Sequence, residues 1–353
     1  MLFIRPSKMS DLDELLAISS SVGDGMTSMP NCKKSWQKKL QLSEQAFTRK
    51  TPAAQSCYFM VLVDSTNQKI AGTTAIYTGL GLSQPFYSYQ RSTTIQQSNS
   101  LKTTKSSETL TLVEHYKGAT EVGSLFLLPQ YRLPGVGQML ARSRYLLMAD
   151  AQERFSDTVM AELRGWLDKS GQSPLWQGLG SHFFDMSFQQ AVTVAATKGS
   201  DFITELMPKH PIYTDLLPLS AKEVLSIANE SSAPALRMLE KEGFKHNGYI
   251  DLFDGGPSVD AKLSEIKTIK DSQVSKIEVS NDIQQSDETY YISNSSLQNF
   301  CLIMAKGKLS AQGSLLIDAA AYDLLKLDSS SNNGRFVTLM SSKKRANINS
   351  QAA

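Results

Sequence analysis

The run from Glu121 to Leu147 leaves this chain few ways to fold. Glu121 to Leu128 is apolar and strand-like, and Pro129 ends it. Arg132-Leu133-Pro134-Gly135-Val136-Gly137 is a glycine turn, and Val136, Met139, Leu140 and Leu147 then share one helical side. Thr158 to Leu163 reads as the next strand. Strand, tight turn, helix and strand in this order require a mixed sheet with the helix packed across it. The turn also carries chemistry. In the pattern R-x-x-G-x-G the glycines let backbone approach a ligand, successive N–H groups converge on an anion, and the helix start adds partial positive charge. A pyrophosphate suits such a turn. The Walker lysine is missing and the spacing G-x-G-x-x-G is not met. A glycine turn before a helix is often structural only, so its surroundings must decide.

Those surroundings are α+β. Leu2 to Arg5 is β-prone, and Ser10-Asp11-Leu12-Asp13 has the form of a capping box opening a helix that carries Leu12, Leu15 and Leu16 and can end at Gly23. Tyr58 to Val63 and Lys69 to Tyr77 read as a hairpin around Asp64 to Gln68, with Gly72 at a bulge. Residues 82–112, rich in Ser, Thr and Gln, give no assignment beyond a polar excursion. Ala233 to Phe244 reads as a helix capped by Gly243, with Phe244 folding back on its last turn. Beyond Asp254-Gly255-Gly256-Pro257 the chain turns polar with short β-prone runs at Asn299 to Met304, Ser314 to Ile317 and Arg335 to Met340. Residues 256–340 are therefore expected to form a small β-rich domain after a larger one over 1–255. Residues 341–353, with Lys343-Lys344-Arg345, read as a frayed, solvated tail.

Charge and cysteine usage exclude other classes. The 36 basic and 34 acidic side chains leave a formal charge of +2, so bulk charge does not draw this chain to nucleic acid. No apolar run approaches the roughly 20 residues that cross a bilayer, and the N-terminal residues lack the features of a signal peptide. Cys32, Cys57 and Cys301 are scattered and odd in number, which gives no disulfide framework and no metal knuckle. A cytoplasmic protein without a metal is expected.

With Ser124-Leu125-Phe126-Leu127 before the glycine turn and Glu240-Lys241-Glu242-Gly243-Phe244 closing the late helix, the chain resembles the GCN5-related N-acetyltransferase fold. Longer stretches resemble the arginine N-succinyltransferase family. They are Gly25-Met26-Thr27-Ser28-Met29-Pro30, Glu162-Leu163-Arg164-Gly165, Ser173-Pro174-Leu175-Trp176-Gln177, Glu205 to Tyr213, and Asp251 to Pro257. The resemblance spans residues 1–257 and, more weakly, the remainder.

This resemblance implies succinyl transfer from succinyl-CoA, as co-substrate, to the α-amine of L-arginine or its relative ornithine, in arginine breakdown. The expected partners are these small molecules, with possible pairing to a second copy or a paralogue. The co-substrate would be held by Leu125, Phe126 and Leu127 of the strand and by Arg132, Gly135, Val136 and Gly137 of the turn, with the family's succinyl-CoA position on Leu125. The family's catalytic histidine falls on Asn229. Asparagine does not exchange a proton near neutral pH, so a CoA-binding, non-catalytic or regulatory subunit is the second reading. The superfamily's late-helix tyrosine is replaced by Leu239. Other groups for proton transfer are His210, Glu121 and Glu162, with His182 and Glu230 behind them and His115 and His246 expected at the surface. Arg164 and Lys209 are the cations available for the succinyl tail.

Overall fold

The computed structural model describes residues 1–22 and 28–339. The chain opens with β1 (Leu2–Pro6), α1 (Leu12–Val22) and α2 (Lys33–Phe47). A hairpin, β2 (Cys57–Asp64) and β3 (Ile70–Tyr77), follows. The polar excursion is a second, longer hairpin, β4 (Ser88–Ser98) and β5 (Thr103–Val113). Its Ser/Thr/Gln composition hid it, because its outer half is solvated on both faces and shows no apolar alternation. Then come β6 (Thr120–Leu127), α3 (Val136–Asp150) and β7 (Thr158–Glu162). A helical excursion holds α4 (Pro174–Gly178), α5 (Phe188–Lys198), α6 (Asp201–Leu206), the short β8 (Ile212–Tyr213) and α7 (Leu219–Glu223). The late helix is α8 (Ala233–Glu242), before β9 (Lys245–Asp251) and β10 (Pro257–Lys262). The last part is α9 (Lys267–Asp271), β11 (Gln273–Val279), β12 (Glu288–Ser293), β13 (Leu302–Leu309), β14 (Leu315–Ile317), α10 (Ala319–Leu325) and β15 (Asn333–Thr338).

One mixed sheet runs β1-β2-β3-β6-β7-β10-β9-β4-β5-β8, and the fold is α+β as expected. The sequence break at residue 256 falls inside this sheet, because β10 pairs with β7 on one side and β9 on the other. Beyond Gln273 the strands run β12-β15-β11-β14-β13, and β12 also pairs with β13, so the five close into a small barrel. Closure leaves these short polar strands without free edges. Ile277, Ile292, Ile303, Ile317 and Phe336 fill its interior. The barrel joins the main sheet where β13 pairs with β1. Met340, residues 341–353, Gly23 and Gly25-Met26-Thr27 lie outside the described residues.

Helices α1 and α2 cover one face of the sheet, where Trp36 and Leu40 pack on Phe59, Val61 and Ala75. The other face carries α3 and α8. The start of α1 differs from the expected capping box. Asp11 accepts from the Lys8 backbone N–H at 2.7 Å and is paired with Arg5 at 2.8 Å, so a short turn precedes the helix at Leu12. Helix α8 ends as read: Gly243 takes φ 102°, and Phe244 N–H donates to Leu239 O. Helix α3 is buried on more than the side its periodicity marked, including Ser143 and Arg144, because the barrel covers its back.

At Gly72, β3 packs tightly against β6. A Cβ there would sit 2.5 Å from Phe126 O and 3.0 Å from the Leu140 side chain. Gly72→Ala is expected to lower unfolding free energy by about 1–3 kcal/mol, the usual range for overpacking. Chemical denaturation measures it, and an unchanged midpoint would show that the two strands can part freely.

Candidate active site

The site begins with a defect in β6. Across from it, β3 runs in register through Tyr77↔Glu121 and Ala75↔Gly123, then slips one residue before Thr73↔Phe126. Ser124 takes φ 51° at this bulge, its carbonyl accepts from Thr73 Oγ1 at 2.8 Å, and its hydroxyl lies 2.6 Å from Tyr77 Oη. A bulge bends its strand. Parallel pairing of β6 with β7 covers only Thr120↔Val159 and Glu121↔Met160. This pairing ends at Glu121, just ahead of the bulge, and among the described residues no strand pairs with the outer edge of Leu125, Phe126 and Leu127. An unpaired edge offers N–H and C=O groups to an extended amide-bearing ligand.

The glycine turn closes one end of this gap. Gly135 is left-handed at φ 87° and leads into α3. At the helix start, Val136 N–H donates to Leu133 O and Met139 N–H to Gly135 O, leaving the Gly137 and Gln138 amides to face outward. A Cβ built on Gly137 meets nothing within 4 Å, whereas one on Gly135 would lie 3.0 Å from Met304 Sδ. So the space before Gly137 is open, and Gly135 serves the turn and the packing behind it. Arg132 is exposed, and its Nε donates to Leu127 O at 3.2 Å, beside the free edge.

Asn229 lies at the other side of the gap. Leu163 N–H bonds Pro257 O toward β10, so alternation turns the Arg164 carbonyl toward β6, and Asn229 N–H bonds that carbonyl at 2.7 Å. Its Oδ1 accepts from Ser231 N at 3.0 Å and Ser231 Oγ at 2.7 Å, which fixes the turn into α8.

On the face toward α2, Cys57, Tyr77, Glu121 and Met160 form one cross-strand row. Glu162 lies one repeat further along β7 on the same face, because strand side chains alternate. Burial raises the Glu121 carboxyl above its usual range, against the pull of Lys39. Burial raises Glu162 well above it too, helped by repulsion from Asp251, Glu121 and Asp254. One Glu162 oxygen is enclosed without a hydrogen-bond donor. Asp251 and Asp254 are also raised, chiefly by burial. Beside Glu121 stands Lys39 of α2. Its ammonium lies 4.9 Å from the Tyr77 ring centre and 5.1 Å from that of Phe59, and it donates to Ser28 O. Burial lowers its pKa, against attraction from Cys57 and Glu121. Burial pushes the Cys57 thiol up to about 11, which leaves it protonated. A cavity of about 250 Å³ opens beside Cys57, Tyr77 and Thr78.

The structure thus brings Glu121 and Glu162 together at the gap with Leu125–Leu127, the glycine turn and Asn229. His210 is not among them. It is exposed beside β8, six strands from β6, and Lys209 is exposed next to it. His182 is exposed as well, while His246 contacts Ser258 O and Ser226 Oγ and His115 stacks on Tyr249. Lys39, Tyr77, Asp251 and Asp254 escaped a role in the sequence reading. Asp251 and Asp254 bounded a matching stretch, but nothing local marks Lys39 as other than a helix-surface lysine.

A short parallel strand pair that parts beside a bulge, with a glycine turn and helix start at its mouth, agrees with the N-acyltransferase fold that the sequence resembles. The family model for the arginine N-succinyltransferase beta subunit matches residues 2–268. Arginine N-succinyltransferase of Escherichia coli strain 536 is 34% identical over 346 residues, covering 98% of this chain and 100% of the relative. That of Shigella flexneri serotype 5b matches to the same extent. The solved structure of arginine/ornithine succinyltransferase subunit AI from Pseudomonas aeruginosa superposes with a TM-score of 0.86 at 28% identity, covering 97% of this chain and 99% of that one. The chain belongs to the arginine N-succinyltransferase family.

The raised carboxyls make stability depend on pH. Their folded pKa values exceed the unfolded values near 4, so the folded state holds more protons. The stabilisation is full below that range and is lost as pH rises through the raised values. Melting temperature without ligand is expected to fall between pH 5 and pH 8, and Glu162→Gln to flatten that slope. A slope unchanged in this variant would mean that Glu162 ionises freely in the folded protein.

Proposed function

We propose that this chain moves a succinyl group from succinyl-CoA to the α-amine of L-arginine, with ornithine as a related acceptor. The observation that carries this reading is the buried acidic group of Glu121, Glu162, Asp251 and Asp254 on the α2 face of the sheet, with Lys39 beside Glu121. A free arginine brings an ammonium, a guanidinium and a carboxylate. Glu121, Glu162, Asp251 and Asp254 match the two cationic groups, and Lys39 matches the carboxylate. The free edge at Leu125–Leu127 suits the amide-bearing arm of CoA, and the Gly137 and Gln138 amides with Arg132 suit its pyrophosphate.

In this reading the amine nitrogen forms a bond to the thioester carbonyl carbon and the carbon–sulfur bond breaks. The ammonium first gives one proton to solvent, and the Glu121 carboxylate, whose proton affinity burial raises, takes the second as the amine nitrogen bonds the carbonyl carbon. Backbone N–H groups on the free edge stabilise the oxyanion. Asn229 can donate a hydrogen bond to the departing sulfur through its amide but has no proton to transfer, so the proton held by Glu121 reaches the thiolate through water and the carboxylate is restored. Arg164, whose carbonyl accepts from Asn229 N–H, is the cation proposed for the succinyl carboxylate.

A second reading is a CoA-binding subunit without catalysis of its own. Asn229 favours it, since its oxygen is committed to the Ser231 turn. The words "beta subunit" and "subunit AI" in the names of relatives fit pairing with a second copy or a paralogue. Thiol release from succinyl-CoA with L-arginine decides. Turnover is expected from the chain alone, with Asn229→His raising it. Succinyl-CoA binding without turnover in the chain alone supports the second reading instead.

Two variants test the acceptor side. Glu121→Gln is expected to lower kcat/KM about 100-fold, the scale of general base help. An unchanged rate would remove Glu121 from proton transfer. Agmatine lacks the carboxylate that Lys39 is proposed to bind. Lys39→Gln is expected to cost arginine about 10-fold or more in KM, the worth of a charged hydrogen bond, and to leave agmatine nearly unaffected. Equal losses for both would assign Lys39 to neutralising Glu121.

A further inference from the structure

We infer that the C-terminal barrel is a working part of the CoA site, with Tyr291 as the positioning residue that sets the glycine turn from behind. The argument starts from the alternation of β12. Tyr290 and Ile292 point into the barrel core, so Tyr291 between them must point out. It joins the main core instead, with Leu302 and Val337 of the neighbouring strands. There its hydroxyl donates to Gly135 O at 2.9 Å, the carbonyl that also accepts Met139 N–H at 2.8 Å. Two donors on one carbonyl fix the plane of the peptide that begins α3, and with it the direction of the Gly137 and Gln138 amides. Met304 Sδ and Tyr291 Oη lie 3.0 and 3.5 Å from where a Gly135 side chain would start. So the barrel fills the space behind the turn while the space before Gly137 stays open.

The barrel grips α3 at two further points. Arg142 donates to Thr338 O at 3.1 Å and lies 5.6 Å from the Tyr291 ring centre. Arg335 pairs with Asp150 at 2.6 Å at the far end of the helix. Of these hydrogen bonds and ion pairs, that of Tyr291 alone falls on the turn that would meet the pyrophosphate. This inference rests on the proposed CoA site.

The test compares two acyl donors that differ at the group in question. Succinyl-CoA carries the pyrophosphate, and the succinyl thioester of pantetheine lacks it. Tyr291→Phe keeps the ring and removes only the hydroxyl, worth about 1 kcal/mol or roughly five-fold for a neutral hydrogen bond. The variant is expected to raise KM for succinyl-CoA about five-fold, with kcat nearly unchanged and kcat/KM for the pantetheine thioester unchanged. Arg335→Gln is the control: it should lower the melting temperature and leave the ratio between the two donors as it was. Equal effects of Tyr291→Phe on both donors, or none on either, would overturn the inference. Should the wild-type chain release no thiol, calorimetry with CoA and with pantetheine reads the same selectivity, so failure of the catalytic reading stays separate from failure of this one.

Discussion

The site depends on one broken register. At Ser124 an extra residue enters β6, and the parallel pairing with β7 stops within a few residues. Without the bulge, β6 would continue alongside β7 and its edge would be closed by another strand. With it, the edge at Leu125–Leu127 opens, α3 starts at its mouth, and the Asn229 turn docks on the opposite strand. Ser124 holds a conformation that non-glycine residues seldom take, and Thr73 and Tyr77 secure it by hydrogen bonds to its carbonyl and hydroxyl.

The bulge also separates two electrostatic environments. On the α3 side, backbone amides and Arg132 make the surroundings suited to an anion. On the α2 side, buried carboxyls carry raised pKa values, with Lys39 acting on Glu121 and Arg164 on Asp254. A cationic amine lowers the free energy of such a group by giving the carboxylates a partner. Near-zero net charge is compatible with both, because the ligands meet local groups and not the field of the whole surface.

How much of this was legible in the sequence differed by element. The β6–turn–α3–β7 unit could be read because proline, glycine and helical periodicity are local signals. The Gly243 cap of α8 was legible for the same reason. The β4–β5 hairpin was not, since its solvated strands carry no apolar alternation. The barrel showed only as β-prone runs, because closure depends on pairing between β12 and β13, which composition does not encode. At the site, Glu121 and Glu162 could be named from their strands, and the registers put them on one face. Lys39 could not, for its proximity to Glu121 comes from packing α2 on the sheet. His210, attractive within a long matching stretch, lies at the distant sheet edge.

Amide hydrogen exchange with and without succinyl-CoA tests the account most directly. Protection on binding is expected at Leu125–Leu127 and at Gly137–Gln138, the free strand edge and the helix start, with little change in the β4–β5 hairpin. Binding that leaves these amides as exposed as before, or that protects another part of the sheet, would contradict the assignment of the gap as the place where the acyl donor lies.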